Sequence, residues 1–206
     1  MTPIYHLTHG RNLASILRAG GLWSPLHAPE GFRPASIAHE NIQARRRLRL
    51  VPVPPGGSLH DYVPFYFGTR SPMLYANHRG WVEGNPDGQR PLVYLVSTIE
   101  RAVAAGARWV FTDGHAAIRY TRFFCDLGRL SEVDWQVVHG QAWFDTLEDP
   151  DRKRRKQAEF LVSRFYPLAA LEAVLVVDAG VQARVRGILS EHEVSLPVRV
   201  DPAAYY

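Results

Sequence analysis

Short strand-like segments alternate with short helical ones along the whole chain, and proline or glycine closes almost every one of them. That punctuation leaves no internal repeat, no low-complexity tract and no window of membrane-spanning length. Ile4-Tyr5-His6-Leu7-Thr8 reads as a first strand. Asn12 is a good N-cap for a helix whose apolar positions Leu13, Ile16 and Leu17 repeat at helical spacing, and Gly20-Gly21 ends it. After a proline- and glycine-rich loop over 24–34, Ser36 is placed to cap a second helix. The far end of that helix carries Arg45, Arg46, Arg47 and Arg49 before Val51-Pro52-Val53-Pro54-Pro55-Gly56-Gly57 breaks it. Tyr62-Val63-Pro64-Phe65-Tyr66-Phe67 predicts a strand, and Pro64, lacking an N–H, argues for a sheet edge. Ser71-Pro72 has the form of a cap and first helical position, with the helix running through Tyr75 and His78. Further strands are predicted over 92–97, 109–112, 160–164 and 173–178, with helices over 99–105 and 181–190. The stretch 115–150 is polar, dotted with aromatics and aperiodic, and such segments in compact domains are often functional. Short strands and poorly amphipathic helices fit a single α+β domain over 1–206 better than a doubly wound sheet.

The 206 residues, 46% hydrophobic and 11% aromatic, suffice for one sizeable core. Net charge is only +4, yet 22 of the 24 basic residues are arginine, the two lysines being Lys153 and Lys156. Arginine makes planar, bidentate contacts with phosphate, which suits nucleic acid or a pyrophosphate. GC-rich codon usage or adaptation to heat gives the same bias. The densest charge is Arg152-Lys153-Arg154-Arg155-Lys156, which leads through Gln157-Ala158 to a lone carboxylate, Glu159, opening the apolar Phe160-Leu161-Val162. A dense positive run attracts phosphates and an adjacent acid weakens that attraction, so an acid at the lip of a buried strand calls for a chemical reason. The alternative is a solvated basic loop followed by an ordinary polar residue at a strand edge.

Several chemistries drop out. No Gly-x-Gly-x-x-Gly follows a strand and no Walker-type loop is present, so neither a Rossmann nor a P-loop nucleotide site is indicated. His192-Glu193 lacks a second histidine at the spacing that puts two ligands on one helical face, and no metal is expected. No Gly-x-Ser-x-Gly elbow occurs. Cys125, the only cysteine, sits among Phe123, Phe124 and Leu127 and reads as a small core residue rather than a nucleophile. One cysteine permits no intramolecular disulfide, and with no charged leader or apolar anchor in the sequence a cytoplasmic protein with no membrane contact is expected.

What remains is an arginine cluster, a carboxylate behind a basic loop, and histidines near the N-terminus and at position 115. Those groups suffice to break a glycosidic bond that already has a good leaving group. Nicotinamide leaves NAD with a cationic ribose behind it, and a single carboxylate near the ribose stabilises the developing charge while arginines hold the pyrophosphate. Gln157-Ala158-Glu159 has the Gln-x-Glu form common in ADP-ribosyltransferases.

Four blocks make the resemblance specific. They are Tyr5-His6-Leu7-Thr8-His9, Asp61-Tyr62-Val63-Pro64-Phe65-Tyr66-Phe67, Arg70-Ser71-Pro72-Met73-Leu74-Tyr75 and Lys156-Gln157-Ala158-Glu159-Phe160-Leu161-Val162. In this order, spanning nearly the whole chain, they resemble the DarT family of DNA ADP-ribosyltransferase toxins. The resemblance implies an ADP-ribosyltransferase-like fold, with split antiparallel β-sheets and flanking helices as in the diphtheria-toxin and PARP transferases. It implies NAD as co-substrate and a base in single-stranded DNA as acceptor, thymine first and guanine as the alternative.

Carried over residue by residue, Glu159 matches the family's catalytic glutamate, which hydrogen-bonds the ribose hydroxyl and favours an oxocarbenium-like state. The turn His9-Gly10-Arg11 matches the NAD-contacting turn, although a lone histidine there also fits a satisfied core position. The family's catalytic arginine falls among three adjacent candidates: Arg47 fits best by its distance from His9 and His115, Arg46 is next, and a solvated helix end suits Arg45 and Arg49. That arginine is said to take a proton from the thymine ring nitrogen; for a guanidinium, stabilising and orienting the deprotonated base is physically easier. Residues 31–49 correspond to an NAD-covering element and 115–159 to a substrate-recognition loop. Arg18 and Leu26 are carried over as further NAD contacts by spacing. Single-stranded DNA needs phosphate contacts and flat stacking surfaces. His115, Arg119, Tyr120, Arg122, Trp143 and the run Arg152, Lys153, Arg154, Arg155 supply both, with Trp143 and Phe123 favoured as core.

The implied role is the toxin half of a toxin–antitoxin pair, a monomer whose modification is reversed by a macrodomain antitoxin of the DarG type. Two rivals stay open: an NAD-dependent RNA 2′-phosphotransferase-like enzyme on a related fold, and a non-enzymatic single-stranded DNA-binding module whose arginines only hold phosphates.

Overall fold

Strands β1 (Pro3–His9) and β4 (Leu92–Thr98) pair antiparallel along their full lengths, from Pro3 opposite Thr98 to His9 opposite Leu92. The rest of the main sheet is laid out on either side of them. The structure, a computed structural model, describes residues 1–32, 34–82 and 85–206, so Arg33, within both the 24–34 loop and the 31–49 element, lies outside the described residues. Beyond β4 come β9 (Ala173–Val176) and β10 (Val198–Val200); beyond β1 come β3 (Tyr62–Tyr66), β7 (Glu159–Ser163), β5 (Trp109–Thr112) and β6 (Phe123–Phe124). Among the described residues only β9 and β10 run parallel. Strands β2 (Gly21–Trp23) and β8 (Phe165–Pro167) form a separate antiparallel ribbon.

The sheet is nearly divided at its middle. Between β1 and β3 the register holds only Tyr5 opposite Tyr66, whereas β3 pairs β7 over five residues, from Tyr62–Ser163 to Tyr66–Glu159. Pro64, which predicts an edge, therefore stands between two strands, and the reason is local. Its carbonyl accepts from His6 Nδ1 at 2.8 Å. Amide and carbonyl of one strand residue point the same way, so the missing N–H faces the open seam, where it removes no ladder bond. Burial pulls His6 down to about 4, so near neutral pH the ring is uncharged and its one proton sits on Nδ1.

One face of the sheet carries the main core, in which Val63, Phe65 and Phe67 of the β3 segment meet Val93, Leu95, Phe160 and Val162. Helix α1 (Leu13–Arg18) covers it with Leu13, Ile16 and Leu17, and helix α7 (Ala179–Glu191) with Val181, Val185 and Leu189, each at helical spacing. Each of these large side chains contributes about 1.5–3 kcal/mol by leaving water. The opposite face holds two smaller cores. One gathers Leu7, Leu74, Leu92, Tyr94 and Tyr205, the other Val51, Leu59, Tyr62, Leu161 and Phe123.

Local chemistry explains where elements start. Ser71 caps helix α3 (Pro72–His78) by accepting the Leu74 N–H at 3.2 Å, as its sequence predicts. Asn12 makes no cap bond; its side chain clamps the loop at Ala35, donating to Thr8 Oγ1 and the Ala35 carbonyl and accepting the Ala35 N–H. Helix α2 (Glu40–Leu48) begins after His39 rather than at Ser36, whose hydroxyl bonds within its own turn to Ala38. Helix α4 (Ile99–Ala104) starts on Thr98 as a side-chain cap. The stretch 115–150 is ordered without periodicity, holding β6, a 3₁₀ helix (Leu127–Glu132) and the short helix α5 (Trp135–His139). Cys125 is exposed just beyond β6, a correction to its reading as core: Phe123 and Phe124, the two residues of β6 before it, take the buried positions. Among the described residues no helix is long and apolar enough to cross a membrane.

Candidate active site

A cleft of about 1000 Å³ opens where the two small cores leave the sheet uncovered, at the seam between β1 and β3. Its volume is at the upper end of the range for ligand sites. His6 and Thr8 of β1, Pro64 and Tyr66 of β3, and Glu159 of β7 line it, joined by His39 just ahead of α2 and by Ile42, Gln43, Arg45 and Arg46 on it. Those positions recur at three- and four-residue spacing, which places them on one side of the helix; Arg47, about 100° round from Arg46, stands at the border of that side and outside the wall.

Glu159 opens β7 opposite Tyr66 and is 2% exposed. Its strand position is pinned by its own N–H, which donates to Thr112 Oγ1 at 3.0 Å, while the Thr112 hydroxyl donates to the Gly114 carbonyl at 2.7 Å. Arg46 Nη1 donates to both carboxylate oxygens, at 3.1 Å to Oε1 and 2.9 Å to Oε2, and the Ala116 N–H donates to Oε1 at 2.9 Å. Oε2 thus accepts from Arg46 alone and keeps capacity for a second donor. Arg46 is buried, and its Nη2 has no partner among the described residues; the same holds for His60 Nε2, also on a cleft-lining residue. A buried donor without a partner costs stability unless a ligand or water meets it. An anionic ligand fits that need.

The neighbouring groups are held neutral. Burial pushes His115 down, with Arg46 adding to the effect and Glu159 opposing it. Its Nδ1 accepts the Ala117 N–H at 3.1 Å, which puts the proton on Nε2. Burial, then the Glu159 charge, raises the Tyr66 hydroxyl far above its usual range. Burial also lowers His60, reinforced by Arg46 and Arg47.

The basic run is not a row of free charges. Four of its five residues are engaged inside the protein. Arg152 pairs with Asp149 at 3.0 Å, Arg154 with Asp113 at 2.8 Å and Asp151 at 2.7 Å, and Arg155 with Asp134 and Asp149. Lys156 is buried and donates to the carbonyls of Val138 and Gly140; burial pulls it down to about 8. The four arginines and lysines of helix α6 (Arg152–Arg155) lie among aspartates at 113, 134, 145, 149 and 151, an abundance of acids that the run's own letters do not disclose. Helix α6 also docks the turn that serves Glu159: the His115 N–H donates to the Arg154 carbonyl at 2.9 Å. Gly114 is needed there, since a Cβ would stand 2.9 Å from that same carbonyl.

Of the carried-over residues, Glu159, Arg46, His115, Tyr120, Lys153 and Arg154 line the cleft. Arg47, placed first among the arginines by sequence, is exposed and outside the cleft wall, and its neighbour Arg46 takes the carboxylate. His9, Gly10 and Arg11 end β1 beyond the wall, where His9 Nδ1 accepts the Arg11 N–H and the Gly10 N–H donates to the Pro91 carbonyl. Alternation along β1 puts His9 on the face of Leu7, which itself lines the cleft, so His9 stands one pleat beyond the wall. Arg18 and Leu26 are exposed, also off the wall. Arg119 gives its carbonyl to Arg49 Nη2 at 3.0 Å, and Arg122 is held by Asp113 and Glu132, so neither lines the cleft. Phe123 is core, whereas Trp143 is half-buried in the cleft wall. Sequence reasoning passed over His60, Tyr66 and Thr112; the alternation that puts Tyr66 on Glu159's face was the available signal for that one.

Comparison with known proteins agrees over the full chain. The sequence pattern of the family described as "ssDNA thymidine ADP-ribosyltransferase, DarT" matches residues 5–206. A DNA ADP-ribosyl transferase of Thermus sp. (strain 2.9) is 45% identical over 190 residues, 92% of this chain and 88% of the relative. The structure of Thermus sp. 2.9 DarT in complex with ADP-ribosylated ssDNA superposes with a TM-score of 0.92 at 43% identity, covering 100% of this chain and 96% of that one. Its complex with NAD+ gives 0.88 at 40%, covering 100% and 98%. A Thermosipho africanus protein described as a DNA ADP-ribosyl transferase–DNA ADP-ribosyl glycohydrolase fusion is 25% identical over 98% of this chain and 49% of its own length.

Proposed function

Since the chain belongs to the DarT family of single-stranded DNA thymidine ADP-ribosyltransferases, we propose that its cleft binds NAD and transfers ADP-ribose to a thymine of single-stranded DNA, releasing nicotinamide. The observation that carries this reading is the buried Arg46–Glu159 pair, in which one carboxylate oxygen keeps acceptor capacity and one guanidinium nitrogen keeps an unused donor. Glu159 Oε2 accepts a ribose hydroxyl of NAD and opposes the positive charge that grows on the ribose as the bond to nicotinamide breaks. Nicotinamide leaves neutral with the bonding pair. The thymine ring nitrogen gives up its proton to water and forms the new bond to the ribose carbon, and Arg46 stabilises the anionic ring rather than accepting that proton. We assign this arginine role to Arg46 in preference to Arg47, which is turned out of the cleft. Thr112 holds the Glu159 backbone and the Ala116 N–H holds its carboxylate.

Within one transferase domain, residues 31–49 act as the NAD-covering element, supported by the cleft-facing side of α2, and 115–159 as the DNA-recognition segment, supported by His115, Tyr120, Trp143 and Lys153 in the cleft wall. A macrodomain antitoxin that removes the modification is the fitting partner, in keeping with the glycohydrolase to which the Thermosipho relative is fused. A cytoplasmic monomer suits a toxin acting on a long polymer inside the cell.

Glu159→Gln removes the negative charge while keeping size and an acceptor for the Ala116 N–H. We expect thymine ADP-ribosylation to fall by about a thousandfold, read by mass spectrometry of an oligonucleotide. Undiminished product would remove Glu159 from the reaction. Binding with a steep salt dependence and no nicotinamide release by the unaltered protein would favour a binding module instead.

A further inference from the structure

The cleft wall continues from Glu159 to an aromatic shelf that the reaction at the carboxylate does not use. Tyr75 is its hub, with ring centroids 4.9 Å from Trp143 and 5.7 Å from Trp81. Trp143 is half-buried and Trp81 is 58% exposed, so two of the largest apolar side chains of the chain present surface to the cleft instead of filling a core. The shelf has cations at its rim. Lys153 Nζ lies 5.8 Å from the Trp143 centroid and the Arg79 guanidinium 5.8 Å from that of Trp81. Among the described residues Lys153 is the single member of the basic run whose charged group has neither a carboxylate nor a carbonyl partner.

Flat rings beside an unpaired ammonium match a nucleobase with its phosphate: rings accept any base face, and the ammonium meets the backbone. We propose that Tyr75, Trp81, Trp143 and Lys153 form a stacking subsite for a base flanking the acceptor nucleotide in single-stranded DNA. This rests on the reading of the cleft as a DNA-modifying site. The subsite fixes the register of the strand, so that one particular neighbour of the acceptor is clamped when the acceptor reaches Glu159.

The test uses steady-state transfer from NAD to oligonucleotides in which each base flanking the acceptor is replaced in turn by an abasic unit. With the unaltered protein, one abasic position is expected to raise the oligonucleotide KM about tenfold. Trp81→Ala and Trp143→Ala are expected to raise the KM for the intact oligonucleotide by a similar factor and to lose the sensitivity to that position. The KM for NAD stays the same, and Trp143→Phe recovers most of the loss. Trp81 is exposed, so its variant keeps the test readable if Trp143→Ala folds poorly. Variants that keep full sensitivity to the abasic unit overturn the proposal, as does a loss that falls on the NAD KM, which would give the shelf to the donor. An unaltered protein that transfers nothing to any oligonucleotide overturns the reading of the whole cleft, a failure distinct from that of the shelf alone.

Discussion

At the scale of single residues, the protein places one carboxylate and one guanidinium, 113 positions apart in sequence, in a buried pair facing a cleft. Removing one partner of a buried pair commonly costs about 3–5 kcal/mol, with the lower part of that range fitting a pair beside an open cleft. The catalytic contribution is separable from that cost by comparing neighbours. Arg46→Ala is expected to lower transfer to a thymine oligonucleotide by about a hundredfold or more, while Arg47→Ala, on the exposed side of the same helix, changes it little. Equal losses in the two variants, measured as initial rates under saturating NAD, would break the assignment. The carboxylate was legible from sequence through the Gln157-Ala158-Glu159 form and the block around it; the basic run alone left a strand-edge reading equally open. The arginine was not, because three adjacent guanidiniums look alike until helix phase is known. The clue was Ile42 and Gln43, four and three residues before Arg46, since a helix pinned over a cleft turns those positions inward together.

At the scale of elements, the basic run changes meaning most. Read as letters, it is a phosphate-binding stripe; folded, helix α6 is a clamp whose arginines tie aspartates from three separate segments. The consequence differs along the run. Arg154→Ala breaks pairs with Asp113 and Asp151 and loses the guanidinium 5.2 Å over the Tyr120 ring, while keeping the carbonyl that holds the His115 N–H. It is expected to cost about 3 kcal/mol and to lower Tm by roughly 6–12 °C. Lys153→Ala leaves Tm unchanged and makes single-stranded DNA binding less salt-dependent, reducing the slope of log affinity against log salt by about 0.7. A stable Arg154→Ala protein with a flattened salt slope would return the run to the DNA. Strand and helix positions with strong periodicity, such as α7 and β4, were legible, as was the Ser71 cap. Strands β2, β6, β8 and β10, of two or three residues each, were not, because so short a segment has no period to read and forms only by pairing.

At the scale of the whole molecule, a continuous core on one face of an eight-stranded sheet supports two small cores on the other, and the gap between them, over a seam held by one residue pair, is the cleft. Pro64 marks that seam: the same missing N–H that suggests an outer edge serves equally at an inner one. The α+β class could be read from the chain, whereas the cleft could not, because it is made by what two distant segments fail to cover. The central claim is that this cleft moves ADP-ribose from NAD to thymine. Its most direct measurement is mass spectrometry of single-stranded oligonucleotides with and without thymine after incubation with the protein and NAD. The expected result is one ADP-ribose added to thymine-containing strands, with nicotinamide released in equal amount and thymine-free strands unchanged. Modification of thymine-free strands, or no modified strand at all, would contradict it.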